Sequence, residues 1–188
     1  MEQQYYRTFI ALPVRATMEL LQLTEGLRRS LPDEHISWVR PENYHFTLRF
    51  LGATPADQVA IIGEALKSGI HSGAFTLRLT GPGSFGPRKR PKVLFIGVAP
   101  SPELEKVYVQ VEQIIKECGW PPADRPFRAH LTLGRVRRLN NVAALEDALR
   151  QFSGAARGTH LMDRLVYFRS VPGPSGPVYS ALKEVLFD

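Results

Sequence analysis

Two segments of the chain place a threonine two residues after a histidine, with apolar residues between and after them. They read His45-Phe46-Thr47-Leu48 and His130-Leu131-Thr132-Leu133. Side chains of a β-strand alternate between its two faces, so each imidazole shares a face with its hydroxyl while the apolar residues form the other face. The same alternation predicts that Arg49 shares the face of the first pair.

These residue types suit chemistry on a phosphate group. Imidazole titrates near neutral pH, so two histidines across a cleft can act as acid and base in one displacement. Threonine hydroxyls can donate hydrogen bonds to phosphoryl oxygens, and arginine can balance their charge. We therefore predict metal-free cleavage of a phosphodiester, in which one histidine activates water and the other protonates the leaving oxygen.

An internal repeat supplies the elements that position the two segments. Residues from about 7 to 80 and from about 93 to 170 each read as strand, helix, strand, helix, strand. In each repeat an apolar strand beginning at Phe9 or Phe95 precedes the histidine, by 36 and 35 residues respectively. A single His-x-Thr segment is more often structural, but two in equivalent positions favour catalysis. The repeat predicts one domain, residues 1–188, with two lobes around a central cleft.

Capping residues and stretches rich in glycine and proline predict where the helices and strands begin and end. Ser101 is predicted to cap the first helix of the second repeat, and Asn140 or Asn141 the second helix. Two stretches rich in glycine and proline, Gly81–Lys92 and Val171–Pro177, are predicted to be loops. The alternation of strands and helices leaves open whether the strands are parallel or antiparallel.

Composition narrows the class of protein. The 188 residues carry a formal charge of +6 and are 44% hydrophobic, enough for a buried core. A moderate basic excess suits a polyanionic partner such as nucleic acid. With a single cysteine, Cys118, the chain has no intrachain disulfide framework. Its N-terminus does not resemble a secretory signal, and no segment is a predicted membrane span, so we expect a cytoplasmic protein.

Other catalytic classes fit the sequence less well. No His-x-His or His-x-x-x-His spacing indicates a metal site, and no Gly-x-Ser-x-Gly elbow indicates a serine hydrolase. The glycines at 81, 83 and 86 match a dinucleotide-binding pattern in spacing, but prolines interrupt the segment and a strand follows it instead of a helix. We predict neither metal nor cofactor.

The duplicated motif resembles the signature of the 2H phosphoesterases. The segments Phe9–Leu12, Trp38–Tyr44 and Phe50–Gly52 around the first motif are similar to the RNA 2′,3′-cyclic phosphodiesterase group, also called 2′-5′ RNA ligases. The resemblance covers essentially the whole chain. It implies a bilobal α+β fold, with an antiparallel sheet backed by helices in each lobe, and hydrolysis of RNA 2′,3′-cyclic phosphate ends to 2′-phosphates. Reverse ligation through a 2′-5′ bond is known in the group.

The resemblance also implies roles for the motif residues. His45 would protonate the departing 3′ oxygen and His130 would activate water, although the pseudo-symmetry leaves either order open. Thr47 and Thr132 would bind the phosphate oxygens, and Arg135 would face the phosphate.

Further candidates for substrate binding come from the residues themselves. Arg49 is a candidate by its strand face. Tyr44 could stack on a base or fill a core or rim position. The basic loop residues Arg88, Lys89 and Arg90 could follow an RNA backbone or form a solvated surface. The predicted partner is RNA with a cyclic phosphate end, or nucleotides, and the predicted state is a monomer. Two alternatives remain: a non-catalytic RNA- or nucleotide-binding module of the same fold, and a related enzyme acting on small cyclic nucleotides or 2′-5′ linkages.

Overall fold

The computed structural model describes residues 3–154, 158–174 and 176–188. We number nine strands and four helices in chain order: β1 (Tyr5–Pro13), α1 (Met18–Ser30), β2 (His35–Trp38), β3 (His45–Pro55), α2 (Ala56–Gly69), β4 (Phe75–Phe85), β5 (Val93–Val98), α3 (Pro102–Glu117), β6 (His130–Arg138), α4 (Val142–Gln151), β7 (Thr159–Met162), β8 (Arg164–Val171) and β9 (Val178–Leu186). A short 3-10 turn, Pro41–Asn43, precedes β3.

Side-chain caps fix where three of the helices begin. Thr17 accepts a hydrogen bond from the backbone N–H of the third residue of α1. Ser101 caps α3, with Pro102 at the first helical position, as predicted. Of the two predicted caps for α4, Asn141 is the one that accepts a backbone N–H, that of Ala144.

The strands form one antiparallel sheet with a narrow waist. Their order is β7-β4-β5-β6-β3-β1-β8-β9, and β2 pairs with β6. The central strands β3 and β6 pair only at Phe46 and Leu131 before they diverge. The waist divides the sheet into two halves, one built on β3 and the other on β6. This mixture of helices with an antiparallel sheet confirms the α+β prediction for the described residues.

The two lobes differ from the two repeats in sequence. Strand β4 lies in the first repeat but pairs with β5 of the second, while β8 of the second repeat pairs with β1 of the first. Each half sheet therefore contains strands from both repeats. The two repeats in the sequence therefore do not coincide with the two halves of the sheet, because the order of elements along a chain does not reveal which strands pair.

Two short strands and one strand extension were not predicted. Strands β2 and β7 have four residues each, too few for a clear alternation of apolar and polar side chains. The predicted loop at Gly81–Lys92 begins as strand, because β4 continues to Phe85 and pairs with β5. The second predicted loop, Val171–Pro177, includes Ser175, which lies outside the described residues.

The core lies between the helices and one face of the sheet. Phe46 and Leu131 are fully buried there, and the helix residues Leu27, Leu66 and Val111 belong to the same hydrophobic cluster. Helices α2 and α3 contact β3, while α4 contacts β4. The opposite face of β3 and β6 carries the partly exposed histidines and threonines, and we call it the cleft face. None of the described helices combines the length and apolar character that a membrane crossing requires.

Candidate active site

The two histidines lie on either side of the waist of the sheet. His45 immediately precedes Phe46, and His130 immediately precedes Leu131, the two residues that join β3 to β6. Because the strands are antiparallel, His45 lies toward Thr132 and His130 lies toward Thr47. The fold therefore brings the four motif residues together on one face as two crossed pairs.

Each imidazole is held in the same way. The Nδ1 atom of His45 lies 2.7 Å from the carbonyl oxygen of Asn43, and that of His130 lies 2.6 Å from the carbonyl oxygen of Arg128. A carbonyl can only accept, so Nδ1 donates in both cases. In the neutral imidazole this leaves Nε2 unprotonated and able to accept a proton. The two histidines therefore share the same tautomer as well as the same residue types around them.

Aromatic rings surround His45. Its ring centroid lies 5.1 Å from that of Phe9 and 5.5 Å from that of Tyr179, the latter edge-on. Phe168 lies behind them at 6.5 Å from the imidazole. These residues come from β1, β9 and β8, so three strands of the sheet restrict the imidazole and shield it from water.

His130 has an equivalent aromatic setting. Phe85 meets it edge-on at 4.8 Å, and Phe95 at 5.8 Å. Phe9 and Phe95 occupy matching positions in the repeat, so each histidine has a phenylalanine from the strand beside it. The sequence analysis used these two phenylalanines only to mark where strands begin. Their nearly equal spacing from the two histidines could also have indicated that they contact the imidazoles. Tyr179 and Phe85 carry no such signal.

Burial lowers the pKa of both histidines below the ordinary value. The aromatic surroundings disfavour the charged imidazolium, and this is the largest influence at both sites. The backbone carbonyls that accept from Nδ1 oppose it, because they favour a protonated ring. The positive charge of Arg135 lowers both pKa values further, and His130 does the same to His45. At neutral pH both rings are therefore mostly uncharged.

A β-bulge explains why Arg49 lies elsewhere. Along β3, Thr47 pairs with Ala11 but Arg49 pairs with Ile10, so Leu48 is an extra residue without a partner on β1. An extra residue shifts the alternation, so that Leu48 and Arg49 both point toward the core and Phe50 points outward. Phe50 is 60% exposed, whereas Arg49 is 7% exposed.

The buried Arg49 has structural partners. Its Nη1 atom lies 3.3 Å from Oε2 of Glu112 on α3, and its Nη2 donates to the carbonyl oxygen of Pro121. It therefore ties β3 to the helix and to the segment that leads into β6. The prediction that Arg49 binds substrate is wrong, because strict alternation took no account of the bulge.

The same kind of bulge brings Arg135 onto the cleft side of β6. Thr132 pairs with Phe95 but Gly134 pairs with Leu94, so Leu133 is the extra residue. Arg135 is consequently exposed on the face of His130, and its charge acts on both histidines. The bulges lie at equivalent places in the two repeats, where the first repeat has Phe50 and the second has Arg135.

Tyr44 is a core residue. It is 3% exposed, and its hydroxyl lies 3.1 Å from Oγ1 of Thr24. The Thr24 hydroxyl donates to the carbonyl oxygen of Leu20, so the Tyr44 hydroxyl is the donor between the two. A ring enclosed in this way cannot stack on a nucleobase, and the prediction that Tyr44 binds substrate is wrong.

The basic loop lies at the turn between β4 and β5. Arg88 donates to both carboxylate oxygens of Glu146 on α4, at 2.7 and 3.2 Å, which compensates its charge. Lys89 and Arg90 are exposed. A role for these three residues in substrate binding stays a prediction, and the Glu146 pair weakens it for Arg88. Within the ranges the structure describes, no three His, Cys, Asp or Glu residues lie close enough to hold a metal ion.

Comparison with known protein families identifies relatives that match most of the chain. The LigT-like phosphoesterase family matches the chain twice, over residues 10–95 and 96–179. The RNA 2′,3′-cyclic phosphodiesterase of Aeropyrum pernix is 34% identical over 148 residues, which are 78% of this chain and 84% of the relative. A protein of the same name from Archaeoglobus fulgidus is 35% identical over 145 residues, or 77% of this chain and 80% of the relative.

Solved structures share the two-lobed fold. E. coli LigT complexed with 3′-AMP superimposes with a TM-score of 0.73 at 20% identity, covering 98% of this chain and 99% of that one. The protein TT0787 of Thermus thermophilus gives a TM-score of 0.74 at 23% identity, with 96% and 97% covered. The tandem match and the relatives above 30% identity show that this chain belongs to the LigT-like phosphoesterase family.

Proposed function

We propose that the protein hydrolyses 2′,3′-cyclic phosphate ends of RNA to 2′-phosphates, using His45 and His130 as acid and base without a metal ion. The observation that carries the proposal is the pair of imidazoles on one face, each with Nδ1 bonded to a backbone carbonyl and Nε2 free. The family membership and the names of the relatives support the choice of substrate.

The proposed reaction is a single in-line displacement at phosphorus. His130 Nε2 takes a proton from water as the water oxygen bonds to phosphorus, and the bond from phosphorus to the 3′ oxygen breaks. His45 then supplies the proton that the departing 3′ oxygen needs. Thr47 and Thr132 donate to the non-bridging oxygens, and Arg135 balances the charge that develops there. One water is consumed, and the 2′-phosphate remains on the RNA.

Substrate binding sets the required protonation state. In the free protein burial keeps both imidazoles mostly neutral at pH 7, yet the reaction needs one of them charged. An anionic phosphate placed between the rings favours the imidazolium and raises its pKa. The substrate thereby helps to charge the acid that will cleave it.

The lowered pKa values predict a pH profile. Catalysis needs one protonated and one neutral histidine, a form that dominates between the two pKa values of the pair. Both values lie below the ordinary 6.5, so we expect kcat/KM, which reports the free enzyme, to peak below pH 6.5 and to fall as the pH rises further. The maximum of kcat should lie at higher pH, because bound phosphate raises the pKa. A kcat/KM maximum at a pH of about 7 or above would contradict this assignment.

A direct assay tests the proposed function. Purified protein is incubated in EDTA with an RNA oligonucleotide ending in a 2′,3′-cyclic phosphate. We expect a 2′-phosphomonoester, which distinguishes an enzyme from a binding module. Failure to form it, or formation of a 3′-phosphate, would overturn the proposal. A parallel assay with a 2′-5′-linked dinucleotide tests the related enzyme class.

The same geometry also allows ligation. If the 5′-hydroxyl of a second RNA takes the place of water, attack on the cyclic phosphate releases the 3′ oxygen and forms a 2′-5′ bond. We include this ligation in the proposal. Action as a cytoplasmic monomer also stays a prediction.

A further inference from the structure

The cleft-facing side of β6 continues beyond Arg135 with more positive charge. Ser37 on β2 is the partner of Arg135 across the ladder, so the two share a face. Arg137 is exposed, and its Nε donates to Oγ of Ser37 over 3.0 Å. The pairing shifts between Ile36 and His35, so Arg137 is an extra residue of β6, and its bond to Ser37 places its side chain on the face that carries the histidines. We call Arg135 and Arg137 together the β6 basic track.

Arg137 is oriented for a ligand. The bond from Nε to Ser37 fixes the plane of the guanidinium and leaves its terminal nitrogens to donate elsewhere. A planar donor held in this way suits the oxygens of a phosphate group.

The β6 basic track begins beside the two histidines, on the side where His45 lies, and extends away from them along β6. Because β3 and β6 run antiparallel, His45 lies toward Thr132, from which β6 continues to Arg135 and then Arg137. Two residues along a regular strand span about 6.6 Å, and Arg137, as the extra residue of a bulge, lies at or within that distance of Arg135. That separation is comparable with the distance between neighbouring phosphates of an extended single strand.

We propose that Arg137, oriented by Ser37, binds the phosphodiester on the 5′ side of the terminal nucleotide. The inference rests on the proposed function. If the 3′ oxygen leaves toward His45, the terminal ribose lies at that end of the cleft, and the next phosphate lies over the β6 basic track. A cyclic mononucleotide has no phosphate there. The site is thus built for an RNA chain in preference to a mononucleotide.

The test compares two substrates that share the same reacting group. Adenosine 2′,3′-cyclic phosphate and a five-nucleotide RNA ending in that nucleotide are assayed with the wild type, Arg137→Gln and Arg137→Lys. We expect Arg137→Gln to lower the ratio of kcat/KM for the RNA over the mononucleotide about fivefold, the effect of losing roughly 1 kcal/mol at an exposed charge pair. Arg137→Lys keeps the charge but lacks the oriented guanidinium, so it should retain only part of the ratio and fall between the wild type and Arg137→Gln.

Salt dependence and a matched variant complete the test. For the RNA, the slope of log kcat/KM against log salt should become shallower by about 0.7 in Arg137→Gln, the share of one phosphate contact on a single strand. Arg29→Gln is the control: it removes the same charge from an exposed position on α1 and should change neither ratio nor slope. An unchanged ratio in Arg137→Gln, or an equal loss in Arg29→Gln, would overturn the inference. If the wild type cleaves neither substrate, the proposed function itself fails.

Discussion

Replacing His130 or His45 by alanine is expected to lower kcat/KM about 10²- to 10⁴-fold, the range that one general acid or base contributes. Each change removes an Nε2 that its neighbours replace poorly. The surrounding phenylalanine rings are apolar, and burial raises the pKa of Tyr179 above its ordinary value, so its hydroxyl exchanges protons poorly at neutral pH. The double variant should lose little more than the worse single variant, because acid and base act in one step. Steady-state kinetics on the cyclic-phosphate RNA measures all three.

The control for this experiment is His71→Ala. His71 is exposed, and it bonds to Gln110 through its backbone alone, so its side chain can be removed without loss of activity. Thermal unfolding of each variant separates loss of catalysis from loss of fold. More than a tenth of the wild-type kcat/KM remaining in either active-site variant would contradict the acid–base assignment.

A sulfur substrate distinguishes the acid from the base. When the 3′ oxygen of the cyclic phosphate is replaced by sulfur, the leaving thiolate is a much weaker base and needs no proton. His45→Ala should then regain most of the lost rate, while His130→Ala should not, because water still has to be activated. The opposite pattern would exchange the two roles and would move the expected path of the RNA chain to the other end of the cleft.

The sequence was most informative where its signals were local or repeated. The His-x-Thr pairs, the helix stripes and the caps at Ser101 and Asn141 depend on neighbours within one turn or one strand. The repeat added a long-range expectation, that the two histidines meet at a cleft. Pairing between β4 and β5 and between β1 and β8 could not be predicted, since it depends on how apolar faces far apart in sequence come together.

Arg49 and Arg135 show why side-chain direction was harder to predict than residue type. Both follow a His-x-Thr pair, by two residues and by three. Strict alternation selected Arg49, yet one unpaired residue in each strand turns Arg49 into the core and Arg135 toward the histidines. Comparison of the two strands reveals this change of direction. The position of Arg135 in β6 corresponds to that of the exposed Phe50 in β3, and not to that of Arg49.

Arg135→Gln is expected to lower kcat/KM about 10²- to 10³-fold, the usual effect of removing one preorganised donor from a developing charge. It should also change the pH profile, because the charge of Arg135 lowers the pKa of both histidines. Without that charge both pKa values rise, and the maximum of kcat/KM moves to higher pH. A residue that served the fold alone would not produce this shift.

Arg135→Lys separates charge from geometry. Lysine keeps the positive charge, so the pH of the maximum should stay close to that of the wild type, but it lacks the fork of donors that fits two phosphate oxygens, so part of the rate should still be lost. Arg29→Gln again controls for net charge. If Arg135→Gln lowers the rate without moving the profile, Arg135 contacts the phosphate but lies too far from the imidazoles to tune them. If the profile moves with little loss of rate, its part in binding the phosphate is wrong and its effect on the histidines is its main contribution.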